Sequence, residues 1–180
     1  MSDNHLRIKS ILEELSIRFE EIEHEINHTC EESKKFRDDQ WLVWLWSKNI
    51  VFHCKWKFYL VVTHWDKQIK ARNFKKVFWS KDIRFASQEE ITPIIGSMIW
   101  SIPPFGFLDN EIMIFVDAEI FKHGFFIFNP SIPTRSIRIP SRELKRIYWS
   151  LENEVRYFMH EDEKFEILSD SDVAEQIPYN

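Results

Sequence analysis

Glycine is nearly absent from this chain: three in 180 residues, where an average usage of roughly 7% would supply about a dozen. Gly96, Gly106 and Gly124 lie too far apart to build a glycine-rich loop of the P-loop or dinucleotide type. No Gly-x-Ser-x-Gly elbow can be written either, and neither Cys30 nor Cys54 sits in an activating context. Two cysteines exclude a disulfide framework of any size and agree with a reducing compartment. Metal-ligand spacing is also missing. His24, His28 and Cys30 lie close together, and His53 with Cys54 adds two ligand types, but no pair falls on an expected helix beside a third ligand. Adjacent strand residues such as His53 and Cys54 point to opposite faces. We expect no metal and no cofactor. Apolar runs such as "WLVWLW" and "EIMIFVDAEIF" fall short of the roughly 20 residues of a membrane span. The start, "MSDNHLRIKS", lacks the apolar core of a signal peptide. The expected setting is the cytoplasm, with no membrane partner.

What is present is a core-forming composition, 44% hydrophobic and 16% aromatic, sized for one domain. Net charge is −5 and unevenly placed. Residues 152 to 180 carry nine acidic and two basic side chains, so the body is about +2 and the tail about −7. A near-neutral body does not grip long nucleic acid by phosphate neutralisation alone, which excludes DNA as an expected partner and leaves room only for a local basic patch. We therefore divide the chain into a domain, 1–152, and an acidic C-terminal tail, 153–180, in which "RYFM" and "FEIL" are apolar enough to dock on the body.

Periodicity predicts a helix over "LRIKSILEELSI", an extended "RFEEIEHE", and a short helix opened by the Thr29 and Glu32 capping pair. Strands are expected at Trp41 to Trp46, Asn49 to Cys54 and Lys57 to Thr63, the last holding the buried run "FYLVV". Residues 66 to 80 are mixed and basic, with one helical turn. "IRFA" reads as a strand, and Ser87 with Glu90 caps a short helix that Pro93 permits near its beginning. "EIMIFVDAEIF", "FFIF" and "PTRSIRI" read as strands, the first two parted by a turn at His123 and Gly124, before a helix over "SRELKRIYWSLE". Scattered helices among more numerous strands indicate an α+β domain on a largely antiparallel or mixed sheet.

Three features admit two readings each. Lys48, in "WLWSKNIVF", is either a turn lysine in an "SKN" hairpin connection or a cation held at the end of a sheet and aimed at a phosphate or carbonyl oxygen. Trp41, Trp44, Trp46, Trp56, Trp65 and Trp79 either fill a core poor in small residues or, for one or two of them, stack on a base. Gly96 and Gly106 bracket "IGSMIWSIPPFGF", which is either a plain turn or a loop shaped to hold something.

Several segments, taken in order, resemble the aminoacyl-tRNA deacylase superfamily of the YbaK and prolyl-tRNA synthetase insertion-domain type, especially its free-standing prolyl-tRNA editing members. "EHEINHTCEES" is similar to that family's early Glu-His, Thr and Glu-Glu pattern, and "KNIVF" to its Lys-Asn-Leu-Phe strand start. "YLVV", "IRFASQEEI", "GSMIWSIPPFGF", "IFVDAEIF" and "FNPSIPTRSIRIPSREL" follow at family-like spacing across residues 5 to 150. The resemblance implies a curved mixed β-sheet surrounded by helices and hydrolysis of an incorrect amino acid from a tRNA 3′ end. It implies Lys48 as the functional lysine, with Thr29, Asn49, Trp100, Ser101, Ile102, Pro104, Phe105 and Asn129 binding substrate. The family leans on the terminal ribose hydroxyl and an ordered water, with no protein nucleophile.

This sequence departs from the pattern at three positions. Aligned through Pro104, the family's substrate-loop glycine is Trp100; its His-Pro pair appears as Asn129 and Pro130, and its later asparagine as Pro133. The resemblance thus leads to a trans-editing hydrolase acting on a tRNA(Pro) that carries a small amino acid, with a synthetase as a second partner. The alternative is a non-catalytic tRNA- or synthetase-binding module with its pocket plugged by Trp100. A third is a deacylase for a different acyl group.

Overall fold

The computed structural model describes residues 3–25, 45–78, 80–161 and 164–177. The capping pair at Thr29, residues 41–44 of the strand expected from Trp41 to Trp46, and Trp79 lie outside these residues.

Helix α1 (Asp3–Glu14) buries Ile8 and Leu12 one turn apart, as its periodicity requires. β1 (Glu20–Glu23) follows, then the hairpin of β2 (Leu45–Cys54) and β3 (Lys57–His64). A short α2 (Ala71–Phe74) and β4 (Ile83–Phe85) lead to α3 (Gln88–Ile95), whose Ser87 and Glu90 form the expected capping box. β5 (Met113–Asp117), a 3₁₀ turn (Ala118–Lys122), β6 (Phe125–Phe128) and β7 (Arg135–Pro140) precede α4 (Glu143–Ser150). β8 (Val155–Glu161), β9 (Lys164–Ile167) and α5 (Asp170–Gln176) complete the chain. No described helix is long and apolar enough to cross a membrane.

All nine strands join one mixed sheet in the order β1-β7-β6-β2-β3-β5-β8-β9, with β4 on β2. β3, β5 and β8 run parallel, Leu60 opposite Ile114 and Val116 opposite Tyr157. The acidic C-terminal segment therefore supplies a strand whose Phe158 is fully buried. Central strands are covered on both faces, which explains unbroken apolar runs in place of alternation. Leu60, Val62, Ile114 and Val116 pack beneath α1, α3 and α4; the intervening Val61 and Phe115 join Phe52, Phe74, Phe78 and Phe158 on the other face.

Four expectations are corrected. Lys48 stands inside one continuous strand opposite Thr63, so "SKN" is not a turn; the hairpin turns instead at Lys55 and Trp56. The strand at 111–121 ends at Asp117, because that carboxylate accepts from the Glu119 backbone amide at 3.1 Å and starts the 3₁₀ turn. Pro93 is the sixth helical residue, not an early one, and the Gly96 amide closes the helix on the Thr92 carbonyl at 2.9 Å. No described tryptophan is buried: Trp56, Trp65, Trp100 and Trp149 are exposed and Trp46 is half-buried. Phenylalanine fills the core, since it needs no partner for a ring N–H.

One charged cluster lies within this packing. Asp117 is fully buried and accepts from Thr63 Oγ1 at 2.7 Å and Lys67 Nζ at 2.9 Å, while Lys67 also reaches Glu119 at 2.5 Å. Burial pushes the Lys67 pKa down, but its bonds to Glu119 and Asp117 outweigh that and leave it raised. For Glu119, burial pushes upward and the Lys67 hydrogen bond and charge prevail, leaving it lowered. The ammonium's stabilisation is complete below its ordinary 10.5 and lost as pH rises through the raised value. That of Glu119 is present above its ordinary 4.5 and lost as pH falls through the lowered value.

Two predictions follow from this packing. Gly106 has φ +88°, and a Cβ there would meet Ile8 Cγ1 at 2.4 Å, so Gly106→Ala should cost about 2 kcal/mol, whereas Gly124→Ala, with nothing within 4 Å, should be close to neutral. Thermal melts check this as a Tm fall of roughly 4–8 °C for the first variant. Lys67→Met strands a buried carboxylate and should cost about 2 kcal/mol, less than a fully enclosed pair because solvent screens the ammonium. Its Tm deficit should be largest near neutral pH and narrow as pH falls below the ordinary 4.5 and through the lowered Glu119 value.

Candidate active site

β2 has β3 on one edge from Ser47 to Cys54. On the other it pairs with β6 at Leu45 and Trp46, and with β4 from Phe52 to Cys54. Residues 47–51 between those pairings have no strand on that edge among the described residues, and a cavity of about 650 Å³ opens there. Lys48, Asn49, Trp100, Ile102 and Asn129 line it, together with Pro133. The structure thus brings five of the expected site residues to one place.

Lys48 Nζ donates to the Lys67 carbonyl at 2.9 Å, so the ammonium is anchored by one hydrogen and keeps two donors for a ligand. Asn49 Nδ2 donates to the Ile102 carbonyl at 2.7 Å, which pins the 100–104 loop to the strand. Its Oδ1 is buried and accepts no hydrogen bond among the described residues. Asn129 Nδ2 donates to the Arg135 carbonyl at 2.8 Å and holds its own loop.

The remaining predicted residues fall elsewhere. Phe105 is fully buried against Phe128 and Tyr148 and belongs to the core. Ser101 is buried with its hydroxyl against that of Ser97 at 3.1 Å, and the buried Pro104 presents its carbonyl to Tyr148. These three shape the loop from behind; they do not face the cavity, because consecutive positions of a loop packed on α1 and α4 cannot all look outward. Thr29 lies outside the described residues.

Trp100 stands at the cavity rim with 55% of its surface exposed. It does not plug the pocket. Two further indoles, Trp46 and Trp65, line the same cavity, with Phe85 and Ile91 completing an apolar wall and Gln68 and Lys70 a polar one. Trp46 and Trp65 were legible only as aromatic crowding: "WSK" and "HWDK" carry no local signal that both converge on Lys48.

Chemistry that needs a protein nucleophile finds little support here. Ser47 lines the cavity, as does His24, but the His24 ring nitrogens are bonded to the Glu25 carbonyl at 2.7 Å and the Ser136 hydroxyl at 2.9 Å. His53 is paired with Glu90, and Cys54 is buried in the core. Among the described residues, the grouping with metal-ligand reach is His64, Asp117 and Glu119. The Lys67 ammonium already bridges its two carboxylates, so the cluster is satisfied as an ion pair. What the cavity offers is one positioned cation, an unpartnered acceptor and flat aromatic surfaces.

No curated protein matches the sequence. Among solved structures, a candidate trans-editing enzyme for prolyl-tRNA synthetase superposes with TM-score 0.67 at 18% identity, covering 86% of this chain and 96% of its own. The hypothetical protein APE2540 gives TM-score 0.68 at 15% identity, covering 83% and 96%. A scaffold used for computational epitope grafting gives 0.67 at 14%, covering 86% and 96%. These likenesses show the shared mixed-sheet fold. The model of the aminoacyl-tRNA editing domain matches residues 25–147, a span that contains Lys48, the loop that walls the cavity and every lining residue but His24, and the chain belongs to that family.

Proposed function

We propose that this protein removes an incorrect amino acid from a tRNA in trans, with tRNA(Pro) bearing a small amino acid as the substrate. The observation that carries the proposal is the open cavity in which Lys48 stands among Trp46, Trp65 and Trp100. A terminal adenosine has a flat face for an indole, worth about 1–3 kcal/mol per stacked base. Its ester carbonyl would lie near the Lys48 ammonium, and the aminoacyl ammonium would supply the donor that Asn49 Oδ1 lacks.

The reaction is ester hydrolysis. Water adds to the acyl carbon, the bond to the ribose oxygen breaks, that oxygen takes a proton, and free amino acid and tRNA leave. An aminoacyl ester is already activated, so positioning a water and stabilising the oxyanion suffices. The ribose hydroxyl orients the water, and Lys48 stabilises the charge that develops on the carbonyl oxygen. A second site of this kind has a physical purpose. A pocket sized for proline rejects smaller residues weakly, since each missing methylene is worth only about 1–3 kcal/mol.

Purified protein should deacylate alanyl-tRNA(Pro) well above the buffer rate and leave prolyl-tRNA(Pro) intact. Lys48→Ala should lower the rate constant by about 10²–10³, the scale of one lost oxyanion donor, with the Tm unchanged within about 2 °C because only one hydrogen bond to a carbonyl is lost. Full activity in that variant would remove Lys48 from the chemistry. Activity confined to other charged tRNAs would redirect the substrate while keeping the site.

A further inference from the structure

Residues 67 to 81, "KQIKARNFKKVFWSK", hold six basic side chains and no acidic one. Lys67 is committed to Asp117 and Glu119. Lys70, Arg72, Lys75, Lys76 and Lys81 are all exposed, and none is ion-paired among the described residues. Elsewhere Lys9, Arg84, Arg135, Arg138, Arg142, Arg146, Arg156 and Lys164 each have a glutamate partner, and the other exposed cations outside any ion pair among the described residues, Arg18, Lys55 and Lys57, do not form a run of this length. The acids nearest in sequence, Asp66 and Asp82, flank the stretch; Asp66 is bonded to His64.

The segment is firmly seated. Phe74 and Phe78 are buried one turn apart, Phe74 against Phe115, Phe158 and Phe165, and Phe78 stacked on Tyr59 with centroids 3.8 Å apart. Residues 72, 75 and 76 follow a helical spacing on the side away from those rings. Lys70 and Gln68 line the large cavity and also a smaller one of about 260 Å³, which Arg72, Asn73 and His160 share. A continuous surface therefore leads from the Lys48 pocket onto unpaired cations.

We infer that this segment is the phosphate track of the substrate: Arg72, Lys75 and Lys76, with Lys70 and Lys81 at its two ends, hold the backbone of the tRNA acceptor arm whose 3′ end enters the cavity. The inference rests on the editing reading of the pocket. A chain of net charge −5 repels RNA as a whole, so it must present its free cations locally where the substrate enters. Five exposed ammonium and guanidinium groups outside any ion pair among the described residues outnumber the flanking Asp66 and Asp82, and Lys70 and Arg72 join them to the cavities, which matches an array of phosphates.

The test uses the full chain and uncharged tRNA, followed by fluorescence anisotropy across a salt series. Arg72→Ala/Lys75→Ala/Lys76→Ala should weaken binding tenfold or more at low salt and flatten the salt slope by about two, since each neutralised phosphate contributes about 0.7–0.9. The control Arg142→Ala/Arg156→Ala/Lys164→Ala changes net charge equally at glutamate-paired sites and should leave the slope near wild type. Equal slopes for the two triples, or wild-type protein with no salt-dependent tRNA binding, would overturn the track. A second arm separates the two readings. The first triple should raise KM for alanyl-tRNA(Pro) about tenfold yet hydrolyse 3′-alanyl-adenosine, which has no stem, at the wild-type rate. Unchanged KM refutes the track, whereas loss of all hydrolysis in wild type with tRNA binding intact refutes the editing reading alone.

Discussion

The Lys67 ammonium between Asp117 and Glu119 is the interaction on which the site depends. Asp117 ends the buried strand β5, where Thr63 from β3 and the Glu119 amide also bond it. Lys67 belongs to the turn just after β3, and its backbone carbonyl is the acceptor for Lys48. A buried carboxylate thus fixes a turn, and the turn fixes the ammonium of the cavity. Removing the lysine would leave a charge in the core without its counterion, which is why the cluster resists rearrangement.

The cavity itself is a consequence of strand pairing. β2 is shared between β6 and β4, and the interval between those partners, residues 47–51, has no strand on that edge among the described residues, with only the Val51 carbonyl held there by the Ala86 amide. Asn49 caps part of that edge by bonding the Ile102 carbonyl, so the 100–104 loop closes the gap as a wall and not as a plug. Gly96, in the left-handed conformation that ends α3, and Gly106, pressed against Ile8, place the two ends of that wall. With so few glycines in the chain, both positions are accounted for by backbone demands of this loop.

Much of the fold was legible. The Ser87 and Glu90 capping box, the α1 stripe and the β6–β7 pair follow from local pattern, and "RYFM" supplies β8. Lys48 admits a turn reading beside the functional one because a lysine between apolar runs breaks strand periodicity; its partner, the Lys67 carbonyl, is distant in sequence. Ser101, Pro104 and Phe105 share a family-like stretch with Trp100 and Ile102, yet only the latter two face the cavity. Alternation along a loop is set by what packs behind it, here Phe128 and Tyr148, and no one-dimensional pattern encodes that. The tryptophans read as core by hydrophobicity, but the cavity and the surface hold those described, and the phenylalanines do the packing.

The central claim is that the Lys48 cavity receives the aminoacylated end of a tRNA. It is tested most directly by the structure of the protein with a non-hydrolysable 3′-alanylamino-3′-deoxyadenosine. The account predicts the acyl carbonyl within hydrogen-bonding distance of Lys48 Nζ, the amino group against Asn49, and the adenine on an indole of Trp46, Trp65 or Trp100. An analogue bound with its acyl group outside this cavity, or a cavity still empty at saturating analogue, would contradict it.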